Sequence, residues 1–363
     1  MDYNYPTPLD KLFNVYHSKG FVIYIVGGAV RDLIIGDKPS DYDLVTDAKP
    51  DETIKILEEL NCKVHRQGER FGVIGSTLDT LKIEITTFRK DVDAVRDTNV
   101  EFNVTIEEDA GRRDIPYNAL YFDPKTKKIL DFNNGVEDLK NKITRLIGDP
   151  VKRLSEDKLR VLRVLRYACK YNHTIEKNTI VALKNAELEG VSKERIYNEI
   201  TLAYHNGNFD LYLHYLKEFN LFKHVFPGLE VNYNKMLNSK HFVIYLANIF
   251  RTNEPDSIEP ILEELKYDRK TIHNIKFLLN MLEVDPLKIS IYLKDRKQIN
   301  LDDTILNEWC TVMSLGDLER KSITYKTIIT GNVVEKLITQ GFYGKELTNK
   351  LNEIEYNNFI NTN

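Results

Sequence analysis

Two aspartates one residue apart, Asp41 and Asp43 in Asp41-Tyr42-Asp43, are the sharpest chemical signal in the chain. Strand side chains alternate between faces, so positions i and i+2 point the same way. Two parallel carboxylates repel each other unless a cation stands between them. The pair therefore suits Mg²⁺, which binds through one or two carboxylates and completes its shell with water and substrate phosphates. In nucleotidyl transfer, one ion lowers the pKa of an attacking 3′-hydroxyl while another holds triphosphate oxygens and the leaving pyrophosphate. Just upstream lies Gly27-Gly28-Ala29-Val30-Arg31-Asp32. Without Cβ atoms, the N–H groups around Gly28 can approach a phosphate closely, and Arg31 could clamp phosphate or ribose. A DxD or a Gly-Gly alone is a common turn. The order strand, Gly-Gly, short helix, then DxD on a strand is far more specific. It is not GxGxxG, so no dinucleotide-binding fold follows. Glu84, flanked by Ile83 and Ile85, is the candidate third carboxylate on a neighbouring strand. The competing reading is a solvent-facing glutamate on an amphipathic strand.

The second signal is Arg160, Arg163 and Arg166, three residues apart, with Asp157 extending the series backward. On one helix these four line a broad stripe. Between Lys152 and Lys170 there are seven basic and two acidic residues, 7 − 2 = +5, in a chain whose net charge is −4. A solvated charged face would not need three arginines in register with so few acidic partners. Asp157 and Arg160 also fit base reading. Cytosine and adenine each show an amino donor beside a ring-nitrogen acceptor, which a carboxylate and a guanidinium match. Uracil and guanine reverse that order and would leave buried groups unpaired, at roughly 1–3 kcal/mol each.

These groups need a scaffold. The apolar run Phe21–Val26 predicts a buried strand, broken by Gly27-Gly28. Helices are expected at 8–19, 29–35 and 50–60, and strands at 42–45, 72–76, 81–88, 117–122 and 128–132. Residues 90–99 read as a loop. After Pro150 the pattern turns helical: 156–171 as one strong helix, then 178–186, 193–205, 211–219, 243–250, 259–266, 270–281 and 286–293, with 357–363 fraying. The expected architecture is a mixed α and β head followed by a helical arm. The 363 residues, 42% hydrophobic and 29% charged, are ordinary for a globular chain of two to four domains or layers. The mild acidity excludes a chain-wide basic field, so nucleic-acid contact must come from a local patch. Cys62, Cys169 and Cys310 stand far apart without a CxxC, against a zinc ribbon or disulfide scaffold. The eight histidines, His173 and His224 among them, show no paired metal spacing. No signal peptide or membrane-length apolar run is evident, and a reducing, cytoplasmic setting without a membrane partner is expected.

The chain resembles the class II CCA-adding tRNA nucleotidyltransferases, which share their head with bacterial poly(A) polymerases. The resemblance rests on GGAVRD (27–32), DYD (41–43), FGVIG (71–75), EITTFR (84–89), GRRDIPYNAL (111–120), DFNNGVEDL (131–139), IGDPVKRLSEDKLRVLRVLRY (147–167) and VSKERIYNEI (191–200), in family order across roughly residues 20–230. It implies an α+β, polymerase-β-like nucleotidyltransferase head with a mixed sheet at 1–147, then an all-α neck at 148–210 and an all-α body and tail at 211–363. It implies Mg²⁺ at Asp41 and Asp43, which with the candidate third carboxylate Glu84 would carry catalysis. Nucleotide contacts would come from Gly28, Arg31, Arg112, Asp157, Arg160, Arg163 and Arg166, with Asp157 and Arg160 reading the base and Glu156 positioning Arg160. The loop 90–103, with Arg96 and Asp97, would assist the switch from C to A addition. The implied activity is template-independent addition of C, C and A to the 3′ end of tRNA from CTP and ATP. The alternatives are A-adding, CC-adding or poly(A) polymerase activity, or a non-catalytic RNA-binding module. The family usually has RRDFTINA; here Ile115-Pro116 replaces Phe-Thr, and Pro116 removes a backbone donor. The oligomeric state is not legible.

Overall fold

The computed structural model describes residues 5–91, 100–233, 237, 239–282, 301–315, 325 and 327–361. It divides into two compact units, Met1–Glu189 with Asn206–Asn208, and Gly190–His205 with Phe209–Asn363. The first unit thus takes in the start of the expected neck as well as the head.

Strands β1 (Ile23–Val26), β2 (Tyr42–Thr46), β3 (Lys63–Gly68), β4 (Val73–Leu78) and β5 (Leu81–Thr87) form most of its sheet. Two short strands, β6 (Lys90–Asp91) and β7 (Val100–Glu101), pair outside it. Then β8 (Leu120–Asp123) and β9 (Lys128–Asp131) complete a seven-stranded sheet in the order β3-β4-β5-β2-β1-β8-β9. Every neighbouring pair is antiparallel except β2 and β5, so the sheet is mixed. The expected strands exist because their apolar residues face a core: Val26, Val45, Phe88, Ala110 and Tyr121 bury together. Helix α1 (Pro8–Ser18) buries Leu9, Leu12, Phe13 and Tyr16, at the spacing one helix face requires. Strand β3 was not expected. It is an edge strand of polar sequence, KVHRQG, with no buried residue, so no alternation marks it.

Three helices matter for the site. Helix α2 (Gly28–Ile35) follows β1 directly, with Gly27 as its N-cap at φ +73°, a conformation glycine adopts without strain. Past α3 (Pro50–Glu59), helix α4 (Ile106–Arg112) opens on a reciprocal capping box: Thr105 Oγ1 accepts from Glu108 N at 3.2 Å, and Glu108 Oε2 accepts from Thr105 N at 2.8 Å. Neither α4 nor α5 (Gly135–Asn141) was expected. The long helix expected at 156–171 is two helices, α6 (Pro150–Glu156) and α7 (Arg160–Tyr171). Asp157 ends α6 in an extended conformation, and its Oδ1 accepts from Leu159 N at 3.2 Å. Such local capture of the backbone by an aspartate competes with helix continuation. Asp157 therefore does not extend the arginine stripe.

The described residues of the second unit form helices joined by turns and loops, with no strand among them. Trp309 is fully buried, and its Nε1 donates to Leu278 O at 2.8 Å. The last helix, Gly344–Asn361, does not fray at 357. Phe359 is fully buried against Tyr325, and buried Glu355 accepts from the Tyr325 hydroxyl at 2.7 Å and from Ile328 N at 3.1 Å. The expected helix at 286–293 lies outside the described residues, as do Arg96 and Asp97. No helix among the described residues is long and apolar enough to cross a membrane.

Candidate active site

The carboxylates sit where β2 and β5 run side by side in parallel. Asp43 and Glu84 are direct register partners, and Asp41 stands one residue before β2 begins. Asp43 is open to solvent at its outer edge, yet enough protein surrounds its carboxyl that burial is the largest cause raising its pKa, to about 6. The Asp41 and Glu84 charges push the same way, and the Arg113 guanidinium opposes them. The three carboxylates are thus held close enough to feel one another. Among the described residues, no three His, Cys, Asp or Glu side chains form a ready-made metal cage. An all-oxygen carboxylate pair with mutual repulsion is nevertheless the donor set Mg²⁺ takes when substrate phosphates and water supply the remaining ligands. The residues fit that ion.

Beside Asp43 lies a cleft whose lining includes Gly27, Gly28, Arg112, Arg113, Arg160 and Arg163. Four arginines line it beside Asp43 and Asp114, a concentration of guanidinium donors suited to phosphate oxygens. Helix α2 opens onto this cleft. With glycine at its cap, no side chain occupies the first N–H groups of the helix, which are a ready anion site. A Cβ at Gly28 would stand 3.4 Å from Arg31 Nη2, about van der Waals contact, so Arg31 lies directly beside the helix start.

Arg31 is placed behind the cleft. It is 4% exposed, and its Nε and Nη2 reach Asp32 Oδ1 at 2.9 and 2.8 Å. Its Nη1 donates to Asn118 Oδ1 at 2.5 Å, and its guanidinium carbon lies 4.9 Å from the Tyr171 ring centre.

Arg112 and Arg113 stand at the end of α4, held by Asp109 three and four residues earlier. Asp109 is fully buried; Arg112 Nη2 approaches it at 2.8 Å, Arg113 Nη2 at 3.1 Å, and the Tyr121 hydroxyl at 2.7 Å. Burial alone would raise the Asp109 pKa, but Arg113 and Arg112 overcome it and hold the group down at about 2. Burial lowers the Arg113 pKa, but Tyr121 and the same carboxylate overcome it and hold the guanidinium well above its ordinary range.

The carbonyls at the end of α4 are taken up by the arginines of α6 and α7. Arg153 Nη2 donates to Arg112 O and, at 2.6 Å, to Arg113 O; Arg160 Nη2 donates to Arg112 O at 3.1 Å. Glu156 Oε2 accepts from both Arg153 and Arg160, at 2.5 and 3.0 Å. Arg163 Nε donates to Asp114 Oδ2 at 2.6 Å. Arg160 and Arg163 line the cleft, and so does Tyr167. Arg166 is buried, with its guanidinium carbon 4.3 Å from the Tyr167 ring centre. Asp157 is buried in the break between α6 and α7, outside the lining.

The replacement of Phe-Thr by Ile115-Pro116 costs little. Ile115 is extended, as a residue before proline prefers, and Pro116 opens a short 3₁₀ turn to Asn118. A first helical position needs no N–H. The sequence reading passed over Asp109, Arg113, Asp114, Asn118, Arg153 and Tyr167. The spacing of Asp109 to Arg112 and Arg113, i to i+3 and i+4, was a usable signal; the pairing of Asp114 with Arg163 was not.

Comparison with known proteins matches the chain's segments and fold to a family. Residues 23–145 match the family model described as poly A polymerase head domain, and residues 172–233 match the probable RNA and SrmB-binding site of polymerase A. Poly(A) polymerase I of Haemophilus influenzae is 33% identical over 235 residues, 61% of this chain and 51% of that protein. The chain thus spans about half the length of the curated poly(A) polymerases it matches. A CCA-adding enzyme of Staphylococcus haemolyticus is 31% identical over 284 residues, 75% of this chain and 70% of that protein. The fold is also that of the Thermotoga maritima CCA-adding enzyme complexed with tRNA, with a TM-score of 0.68 and 20% identity, covering 100% of this chain and 93% of the other. The chain belongs to the tRNA nucleotidyltransferase and poly(A) polymerase family.

Proposed function

We propose that this chain adds C, C and A, without a template, to the 3′ end of tRNA from CTP and ATP. The observation that carries the proposal is the register pairing of Asp43 with Glu84, beside Asp41, at the mouth of an arginine-lined cleft. The primer's 3′-oxygen attacks the α-phosphorus of the nucleotide. The bond from that phosphorus to its bridging oxygen breaks, pyrophosphate leaves with the electron pair, and the hydroxyl proton passes to solvent. Asp41 and Asp43 would hold Mg²⁺, which when bound would supply charge neutralisation at the triphosphate and a lowered pKa for the hydroxyl. The chain's own residues position the substrate. The α2 N-terminus receives phosphate oxygens, and Arg112, Arg113 and Arg163 balance their charge. Glu156 fixes Arg160, which lines the cleft and selects the Watson–Crick edge shared by cytosine and adenine; Asp157, buried outside the lining, shapes the turn that carries it.

One incorporation assay tests this reading. Protein, Mg²⁺, CTP and ATP are given a tRNA ending at its discriminator base, and the new 3′ end is sequenced. The expected product ends in CCA and stops. Two Cs alone, a single A or a long A tail would move the chain to a sibling activity. Asp41→Ala is expected to abolish transfer while tRNA binding persists; substantial transfer by that variant would remove the metal-carboxylate reading.

A further inference from the structure

Arg113 commits one edge of its guanidinium to the protein and leaves one end over. Its Nε and Nη2 donate to buried Asp109 Oδ2 at 3.2 and 3.1 Å, and Nε also donates to the Tyr121 hydroxyl at 3.0 Å. Tyr121 is fully buried, and its hydroxyl donates in turn to Asp109 Oδ2 at 2.7 Å. The directions follow from the groups. A guanidinium only donates and an ionised carboxylate only accepts, so the phenol accepts from the first and donates to the second. Nη1 is what remains. It has no hydrogen-bond partner among the described residues, and it is not one of the sealed polar atoms left unpaired, so water reaches it. The side chain is 18% exposed, and the residue lines the cleft. A Cβ on Gly27, which lines the same cleft and caps α2, would lie 3.9 Å from Nη1. The open end of Arg113 therefore stands beside the first turn of α2.

The frame that holds it there is continuous. Tyr121 on β8 is the register partner of Val26 on β1, and the next residue, Gly27, donates from its N–H to Leu120 O at 3.0 Å. One strand pair thus carries both the hydroxyl that orients Arg113 and the glycine that Arg113 faces. The task also needs arginine. A planar fork can grip Asp109 with one edge and present a donor from the other end, whereas the point charge of a lysine serves one side at a time.

We propose that Arg113 donates from Nη1 to a phosphate oxygen of the nucleotide beside Gly27, and that the Tyr121 hydroxyl, with Asp109, is the positioning group that aims it. This rests on the nucleotide-transfer reading and deepens it: a buried phenol that never touches the ligand sets the direction of a phosphate contact.

The test measures the Kd of CTP with Mg²⁺ and no RNA, by titration calorimetry, alongside thermal melts. Arg113→Lys keeps a cation for Asp109 but loses the fork. It is expected to bind CTP about tenfold or more weakly, the usual weight of a hydrogen bond to a charged group. Tyr121→Phe keeps the ring and loses only the hydroxyl. It is expected to stay folded and to bind CTP about fivefold more weakly, the weight of one ordinary hydrogen bond; it carries the test by itself if Arg113→Lys melts below the assay temperature. Both factors should vanish with cytidine, which has no phosphate. In the Arg113→Lys/Tyr121→Phe double variant they should not multiply, because the hydroxyl acts only through Arg113. In the transfer assay, Tyr121→Phe should raise KM for CTP with kcat little changed. CTP binding unchanged in Arg113→Lys, or an equal loss with cytidine, overturns the phosphate contact. CTP binding unchanged in Tyr121→Phe, factors that multiply in the double variant, or a fall in kcat at unchanged KM overturns the positioning role. Parent protein that binds no CTP would instead sink the nucleotide reading itself.

Discussion

Replacing Asp109 by asparagine removes one negative charge from the point where α4 and β8 meet the cleft arginines. The carboxylate is fully buried and accepts from Arg112, Arg113 and the Tyr121 hydroxyl. An asparagine of the same shape turns an NH₂ toward a guanidinium, which can only donate. Breaking a buried ion pair from one side costs about 3–5 kcal/mol, a large share of the 5–15 kcal/mol that holds a typical domain. With a urea dependence of about 2 kcal/mol/M, the first unit should unfold at about 2 M less urea, followed by far-UV circular dichroism. The pH dependence gives an independent check. The Asp109 pKa falls from 3.8 to about 2 on folding. At about 1.4 kcal/mol per unit, that is worth about 2 kcal/mol. Because the folded pKa is the lower one, this stability is complete above pH 3.8 and is lost as pH falls toward 2. Asp109→Asn should lack that acid-sensitive component. A variant within 1 kcal/mol of the parent at pH 7, or one whose stability declines in parallel between pH 4 and 2, would refute the argument.

Gly135→Ala should cost about 1–3 kcal/mol or more by thermal melt, since its Cβ would fall 2.4 Å from Pro116 O, a backbone atom that cannot swing aside; an unchanged melting temperature would mean α5 shifts freely. Phe359→Ala should destabilise the second unit by about 3–5 kcal/mol, because the ring is fully buried. A frayed end would leave the single Trp309 reporter unmoved. Arg160→Ala should narrow the preference for CTP over UTP by about tenfold, the weight of one unmet hydrogen-bonding group, with RNA affinity little changed. An unaltered ratio would remove Arg160 from base selection.

What the sequence discloses and what it hides follow from the range of the interactions involved. Asp43 and Glu84 were legible because each sits on a strand with apolar neighbours at alternate positions, so the core fixes their face. The capping box Thr105–Glu108 and the Asp109–Arg113 spacing are equally local; α4 was overlooked although its signals were present. Strand β3 carried no signal, since an edge with two wet faces imposes no alternation. The break at Asp157 was hidden for a different reason. Leu154, Leu159, Leu162 and Leu165 all serve buried positions, and the apolar pattern does not record that Asp157, extended and bonded to Leu159 N, stands between two helices. Arg31 marks the limit of such reading. Its type and its place after two glycines suggest a phosphate clamp, yet its guanidinium is taken up by Asp32, Tyr171 and an amide 87 positions away. No local pattern announces that last contact.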